Sequence, residues 1–134
     1  MKRSVLALVA GLALWVVVAS LLNRGLRVRF TGYAAAEPMM AFTLGMKVAR
    51  LLVGALASLA AGAATGMIAR SKTGLPWVLG AILLVAFVPV HIQLWAKFPV
   101  WYHLVFLGTL VPLVALGAAL IRTRSRNVPA EAAF

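Results

Sequence analysis

Four runs of apolar residues alternate with short stretches where basic residues gather. The first, Val5 to Leu22, is apolar apart from Ser20 and follows Lys2 and Arg3. As a helix it rises about 27 Å, close to the ~30 Å hydrocarbon core of a bilayer. The second runs from Leu51 to Ala69, between Arg50 and Arg70. Ser71-Lys72-Thr73-Gly74 reads as a tight turn, and Pro76 restarts the helix near its first position. The third run is Leu75 to about Leu94, and the fourth is about Val100 to Ile121. Pro89 is expected to kink the third run near its exit. Pro112 is expected to bend the fourth in mid-membrane, with Thr109 or a neighbouring helix taking the freed carbonyl.

Residues 23–40 form the one sizeable loop. Leu26-Arg27-Val28-Arg29-Phe30-Thr31 alternates apolar and polar positions, a strand-like period that Gly32 ends. The pattern predicts an extended segment on the membrane surface, with Phe30 and Tyr33 dipping inward. Glu37-Pro38 has the chemistry of a helix start, with an acid at the positive dipole end and proline at the first position. A helical extension from residue 38 into the second span is therefore predicted to lie in the interface. It would place Lys47 and Arg50 on one face, three residues apart.

Together these elements predict an all-α integral membrane protein. Four transmembrane helices form an up-down bundle in one membrane domain over 1–134, with a surface loop at about 23–40. The tail, 122–134, is predicted to be disordered. A signal peptide is the competing reading of the first run, but that run exceeds the usual apolar region of about 7–15 residues. An uncleaved first span is expected.

Composition identifies the solvent. Hydrophobic residues make up 64% of the chain and charged residues 11%, against roughly 25% charged in soluble domains. The mean hydropathy is +1.04. A domain of this size buries only about 60–70% of its unfolded surface, so that much apolar surface needs lipid. The net charge of +11 would suggest nucleic acid in a soluble protein, but here the basic residues flank the apolar runs. There they reach anionic headgroups, so lipid rather than nucleic acid is the expected partner. With no cysteine, the chain has no disulfide or thiolate site.

Four spans put both termini on one side of the membrane. Lys2, Arg3, Arg70, Lys72, Arg122, Arg124 and Arg126 share that side, seven basic residues against six on the other. The positive-inside rule then predicts cytoplasmic termini in a bacterial inner membrane.

Within the second run, Gly54, Ser58, Gly62 and Gly66 recur every four residues. Such a stripe lets another backbone approach closely, whether a neighbouring helix, a second copy or a partner membrane protein.

The candidate chemistry gathers around Pro89 to His103, which holds both histidines of the chain. Lys97 lies six residues from each, so an antiparallel turn would set the imidazoles at one depth. Glu37, Lys47, Arg50, His91, Lys97, Tyr102 and His103 all fall on one membrane side and are the candidate ligand- or headgroup-binding residues. No nucleophile–base pair, phosphate loop or paired carboxylates are legible, so an enzyme is not expected. Two histidines supply half a tetrahedral zinc site, and neither metal nor cofactor is expected. The leading reading is a non-enzymatic membrane protein that binds lipid or a partner membrane protein through its non-cytoplasmic face. A rival makes it a haem- or metal-binding membrane subunit using His91 and His103. A third makes it a small transporter with Glu37 as coupling acid.

Overall fold

A computed structural model of the protein describes residues 2–69 and 74–126, and these are helical without strands. Four long helices among them are apolar enough to cross a membrane: α1 (Lys2–Arg29), α3 (Leu44–Ile68), α4 (Leu75–Gln93) and α5 (Val100–Arg126). A short α2 (Tyr33–Ala36) and one 3₁₀ turn, Glu37–Met39, link α1 to α3. Residues 70–73 and the chain after Arg126 lie outside the described residues, and with them most of the expected turn and tail.

The boundaries differ from the sequence expectation where local chemistry overrides a pattern. The segment 26–29 is the end of α1, not an extended strand. Leu26 and Phe30, one helical turn apart, pack together on the aromatic cluster at this end of the bundle. Val28, between them, points outward and is 90% exposed. The chain turns at Gly32, whose φ of 84° is left-handed and cheap only for glycine. The helical extension from residue 38 does not form either. Met40 adopts φ 54°, which ends the 3₁₀ turn, and Thr43 caps a new helix at Leu44 by accepting from the Met46 amide at 3.3 Å. At the other end α5 runs on to Arg126, past the predicted limit at 121. Both internal prolines sit inside continuous helices. The Thr109 hydroxyl, a possible partner for the carbonyl freed by Pro112, instead donates to the Val105 carbonyl at 2.6 Å.

The helices run up and down. Antiparallel contact of α1 with α3 is tied by Arg3 Nε donating to the Ile68 carbonyl at 2.6 Å. Nearby, the Thr65 hydroxyl donates to the carbonyls of Ala61 and Ala7, at 2.9 and 3.3 Å. The second and fourth spans, α3 and α5, are parallel and share the most intimate contact in the bundle. A Cβ placed on Gly62 would overlap the Val114 carbonyl, and one on Gly117 would overlap that of Leu59. These two glycines let the backbones touch, the way lipid-embedded helices gain packing without a hydrophobic drive. Ser58 on the same face accepts from the Trp15 indole at 3.1 Å and donates to the Gly54 carbonyl at 2.7 Å. Gly54 faces the Phe106 ring and Gly66 faces Ala118. By contrast α4 packs chiefly on α5 and touches α1 and α3 only lightly.

The core and the outside have exchanged their usual roles. The interior is lined by small residues such as Ala57 and Ala61 with Leu79, Leu110 and Val114. Large apolar side chains, among them Leu6, Val16, Leu52, Val85 and Leu104, face outward. An exterior this apolar is stable only in lipid. Trp95 and Trp101 lie partly exposed at one end of the bundle and Trp77 at the other, the level at which amphipathic rings settle at the interface.

The Gly62–Val114 approach yields a direct test. Gly62→Leu should lower thermostability in detergent, by at least the ~1–3 kcal/mol typical of overpacking, because the obstacle is backbone. Leu56→Ile, a size-matched change on an outward residue, should leave the melting temperature nearly unchanged.

Candidate functional site

The site forms at the loop end of the bundle, where α1 ends, α3 begins, and α4 turns into α5. That last turn is short. The amides of Lys97 and Phe98 donate to the Leu94 carbonyl at 3.0 and 3.3 Å, and Tyr102 N donates to Pro99 O at 3.0 Å. The reversal sets His91, in the last turn of α4, against His103, in the first turn of α5. Their Nδ1 atoms lie 2.7 Å apart. Two imidazole nitrogens this close share one proton, one ring donating and the other accepting. His103 is fully buried and stacks on Trp95 with centroids 4.6 Å apart and planes at 11°. Its Nε2 is enclosed with no hydrogen-bond partner among the described residues. His91 is buried to 5% exposure and lies against Phe106 at 4.7 Å.

Arg50 reaches the same region from the second turn of α3. Its Nη1 donates to the Tyr33 hydroxyl at 2.8 Å, and that hydroxyl donates to Asn23 Oδ1 at 2.7 Å. The guanidinium carbon sits 4.7 Å from the Phe42 ring centre, a cation–π contact. Arg50 Nε is buried without a hydrogen-bond partner among the described residues. Tyr33 is itself fully buried, and burial raises its phenol above the ordinary range although Arg50 pulls the other way. The phenol thus stays a neutral hydroxyl that relays between cation and amide.

Between these groups lies a cavity of about 260 Å³. Its polar part is made by Arg50, His91, Tyr102, Asn23 and Ser20, and its apolar part by Trp15, Phe87 and Phe106 among others. Among the described residues, no carboxylate lines it. It is partly open, and lies where α1 and α4 touch only lightly. The combination is a permanent cation, neutral donors and an aromatic wall in one recess.

The residues singled out from sequence divide into two groups. Arg50, His91 and Tyr102 line the cavity, and His103 stands behind His91. Glu37, Lys47 and Lys97 are not among its lining residues. Glu37 is held by Arg27, whose Nε and Nη2 donate to its two oxygens at 2.5 and 2.9 Å. The hydrogen bond from Arg27 keeps the Glu37 carboxyl below the usual carboxylate range. Lys97 is exposed at the turn. Sequence reasoning passed over Asn23 and the hydroxyl of Tyr33 because both fell in a segment read as surface loop. Asn23 did carry a signal, being an amide at the end of an apolar run, where a polar group needs a partner.

Comparison with protein-family models, with curated proteins and with solved structures gave no match. The direct Nδ1 contact leaves no room for an iron between the imidazoles. No group of three or more metal-ligating side chains occurs among the described residues. The Arg50 side of the recess is suited to an anion.

Glu37 gives a pH test. Its folded-state pKa is depressed, so its contribution to stability is present above the unfolded carboxyl pKa of about 4.3 and is lost as pH falls through the folded value. Melting in detergent from pH 7 down to pH 3 should show a small acid-side loss, small because the pair is partly exposed. That increment should be missing in Glu37→Gln.

Proposed function

We propose that this four-helix membrane protein is a non-enzymatic binder of an anionic amphiphile, a lipid whose headgroup sits in the loop-end cavity. The single observation that carries the reading is Arg50. It is a guanidinium on the wall of a recess that no carboxylate lines among the described residues, and its Nε has no hydrogen-bond partner among them. An arginine fork is suited to phosphate or carboxylate oxygens. Tyr102, Ser20 and Asn23 add polar contacts, while Trp15 and Phe87 extend the recess with apolar surface. A volume of about 260 Å³ suits a headgroup and the start of a chain rather than a whole lipid. The remaining acyl chain would follow the light contact between α1 and α4 into the surrounding bilayer.

The haem reading is weakened by the histidines themselves, since their rings meet directly. The transporter reading is weakened by Glu37, whose two oxygens are both engaged by Arg27. In the proposed arrangement the protein lies in a bacterial inner membrane, with its termini in the cytoplasm and the cavity near the non-cytoplasmic surface. Seven basic residues against six support that orientation.

Lipid binding is tested with dioctanoyl phosphatidylglycerol, its phosphatidylcholine counterpart, and the deacylated glycerophosphoglycerol headgroup. The anionic lipid should bind the purified full chain most tightly. Arg50→Gln should weaken that binding about tenfold or more, since a hydrogen bond to a charged group contributes roughly 1.5–3 kcal/mol. Equal binding of the bare headgroup would show that the apolar wall plays no part and would overturn the amphiphile reading. Orientation is checked by reporter fusions at residue 134 and within residues 31–36. They should report opposite sides, with the latter outside.

A further inference from the structure

The buried histidine pair is the one polar feature at the site that lipid binding leaves unused. Its Nδ1···Nδ1 contact of 2.7 Å accommodates one shared proton. Each ring keeps one other nitrogen, Nε2. That of His103 is sealed from solvent and without a partner among the described residues. His91 is the ring that belongs to the cavity wall, beside Arg50 and Tyr102. If His91 donates its Nδ1–H to His103, its own Nε2 is the basic position that remains. A second proton taken there leaves the existing hydrogen bond intact and makes it charge-assisted. Had His103 been the donor, the added proton would have to reach its sealed Nε2.

We propose that the His91–His103 pair is a proton-binding site, and that the cavity takes up one proton together with one anionic headgroup. This rests on the lipid-binding reading of the same cavity. In the vacant cavity an imidazolium would be buried, and it would share the recess with the fixed charge of Arg50. Both burial and like charge oppose its formation. An anion bound between Arg50 and His91 offsets these penalties, because its charge compensates the second cation. Binding of the anion therefore raises the proton affinity of the pair, and by reciprocity the proton raises the affinity for the anion by the same factor.

Titratable and charged groups face the pair from each element packed against it. From α5 comes Tyr102, and from α3 comes Arg50. The segment between α1 and α3 supplies Tyr33, held neutral by burial, and Glu37, already paired with Arg27. The wall residues contributed by α1 are Trp15, Ala19, Ser20 and Asn23, none of which ionises. Lys97, in the turn after α4, is exposed.

The test uses the full chain in a neutral detergent, with dioctanoyl phosphatidylglycerol as probe because its phosphodiester does not titrate between pH 5 and 8. Calorimetric titrations in two buffers of different ionisation enthalpy count the protons taken up on binding. Across part of that range, affinity should rise as pH falls, by up to about tenfold per pH unit for one coupled proton. Uptake there should approach one proton per lipid. His91→Gln should bind the lipid more weakly than wild type at the acid end of the range, with the proton uptake lost and the affinity nearly independent of pH. The wild-type proton count does not depend on that variant folding. If wild type binds the lipid with no proton uptake between pH 5 and 8, co-binding is overturned while the lipid reading stands. If the lipid does not bind at any pH, both fall. Proton uptake unchanged in a folded His91→Gln would likewise remove the pair from the mechanism.

Discussion

Everything at the loop end depends on how closely α3 and α5 approach. Gly62 against the Val114 backbone and Gly117 against that of Leu59 bring the two parallel helices into backbone contact. A contact of this kind sets both the separation and the axial register, because neither helix can slide without driving a Cβ or a carbonyl into the other. About two turns nearer the loop end, the same register faces Gly54 with the Phe106 ring. It also holds the start of α5, with His103, at the depth of Arg50 and the end of α4. Lipid offers no hydrophobic reward for helix association, so this fit and a few internal hydrogen bonds carry much of the specificity.

The same helices explain why a cavity forms where it does. Small residues draw α3 onto α5, and α1 onto α3, while α4 is held mainly by α5. Contact between α1 and α4 is thus among the parts of the bundle least filled by backbone approach. Trp15 and Phe87 meet there at 4.8 Å, a tilted aromatic contact at the inner end of the recess. Polar groups gather at the outer end, where water and headgroups begin. Their hydrogen bonds cross elements: Asn23 from α1, Tyr33 from α2 and Arg50 from α3 form one chain. In apolar surroundings such a chain is costly to break, since each freed group loses a partner that lipid does not replace.

Charge has two distinct roles in this protein. Most of the thirteen basic residues flank the spans and belong to the interface. Arg27 neutralises Glu37, the one acid before the tail. Arg50 differs because it is drawn partly inside, held by Tyr33 and Phe42, with its Nε unpaired among the described residues. Buried cations need compensation, and here it comes from hydrogen-bonding and aromatic contacts, with the Glu37 carboxylate acting only from a distance. An anion from outside would complete the set.

The number and solvent of the main helices were legible from sequence, because each is set by an apolar run and by the charges at its ends. Their lengths were not, since α1, α3 and α5 continue beyond those runs. The meeting of His91 and His103 was also within reach, since their equal spacing from Lys97 constrains a short antiparallel turn. The small-residue positions marked a close approach on α3, but the partner, α5, was decided by the tertiary structure. A helix apolar on every side carries little periodic information about which face meets which neighbour. The segment from Leu26 to Thr43 was misread for a related reason. Alternating arginines imitate a strand, yet Leu26 and Phe30 gain more by packing at helical spacing onto Tyr33 and Phe42. Local patterning determined which residues enter the membrane. Only packing decided that Asn23, Tyr33, Arg50 and His91, from separate elements, surround one recess, because that depends on helix rotation and register that no single run encodes.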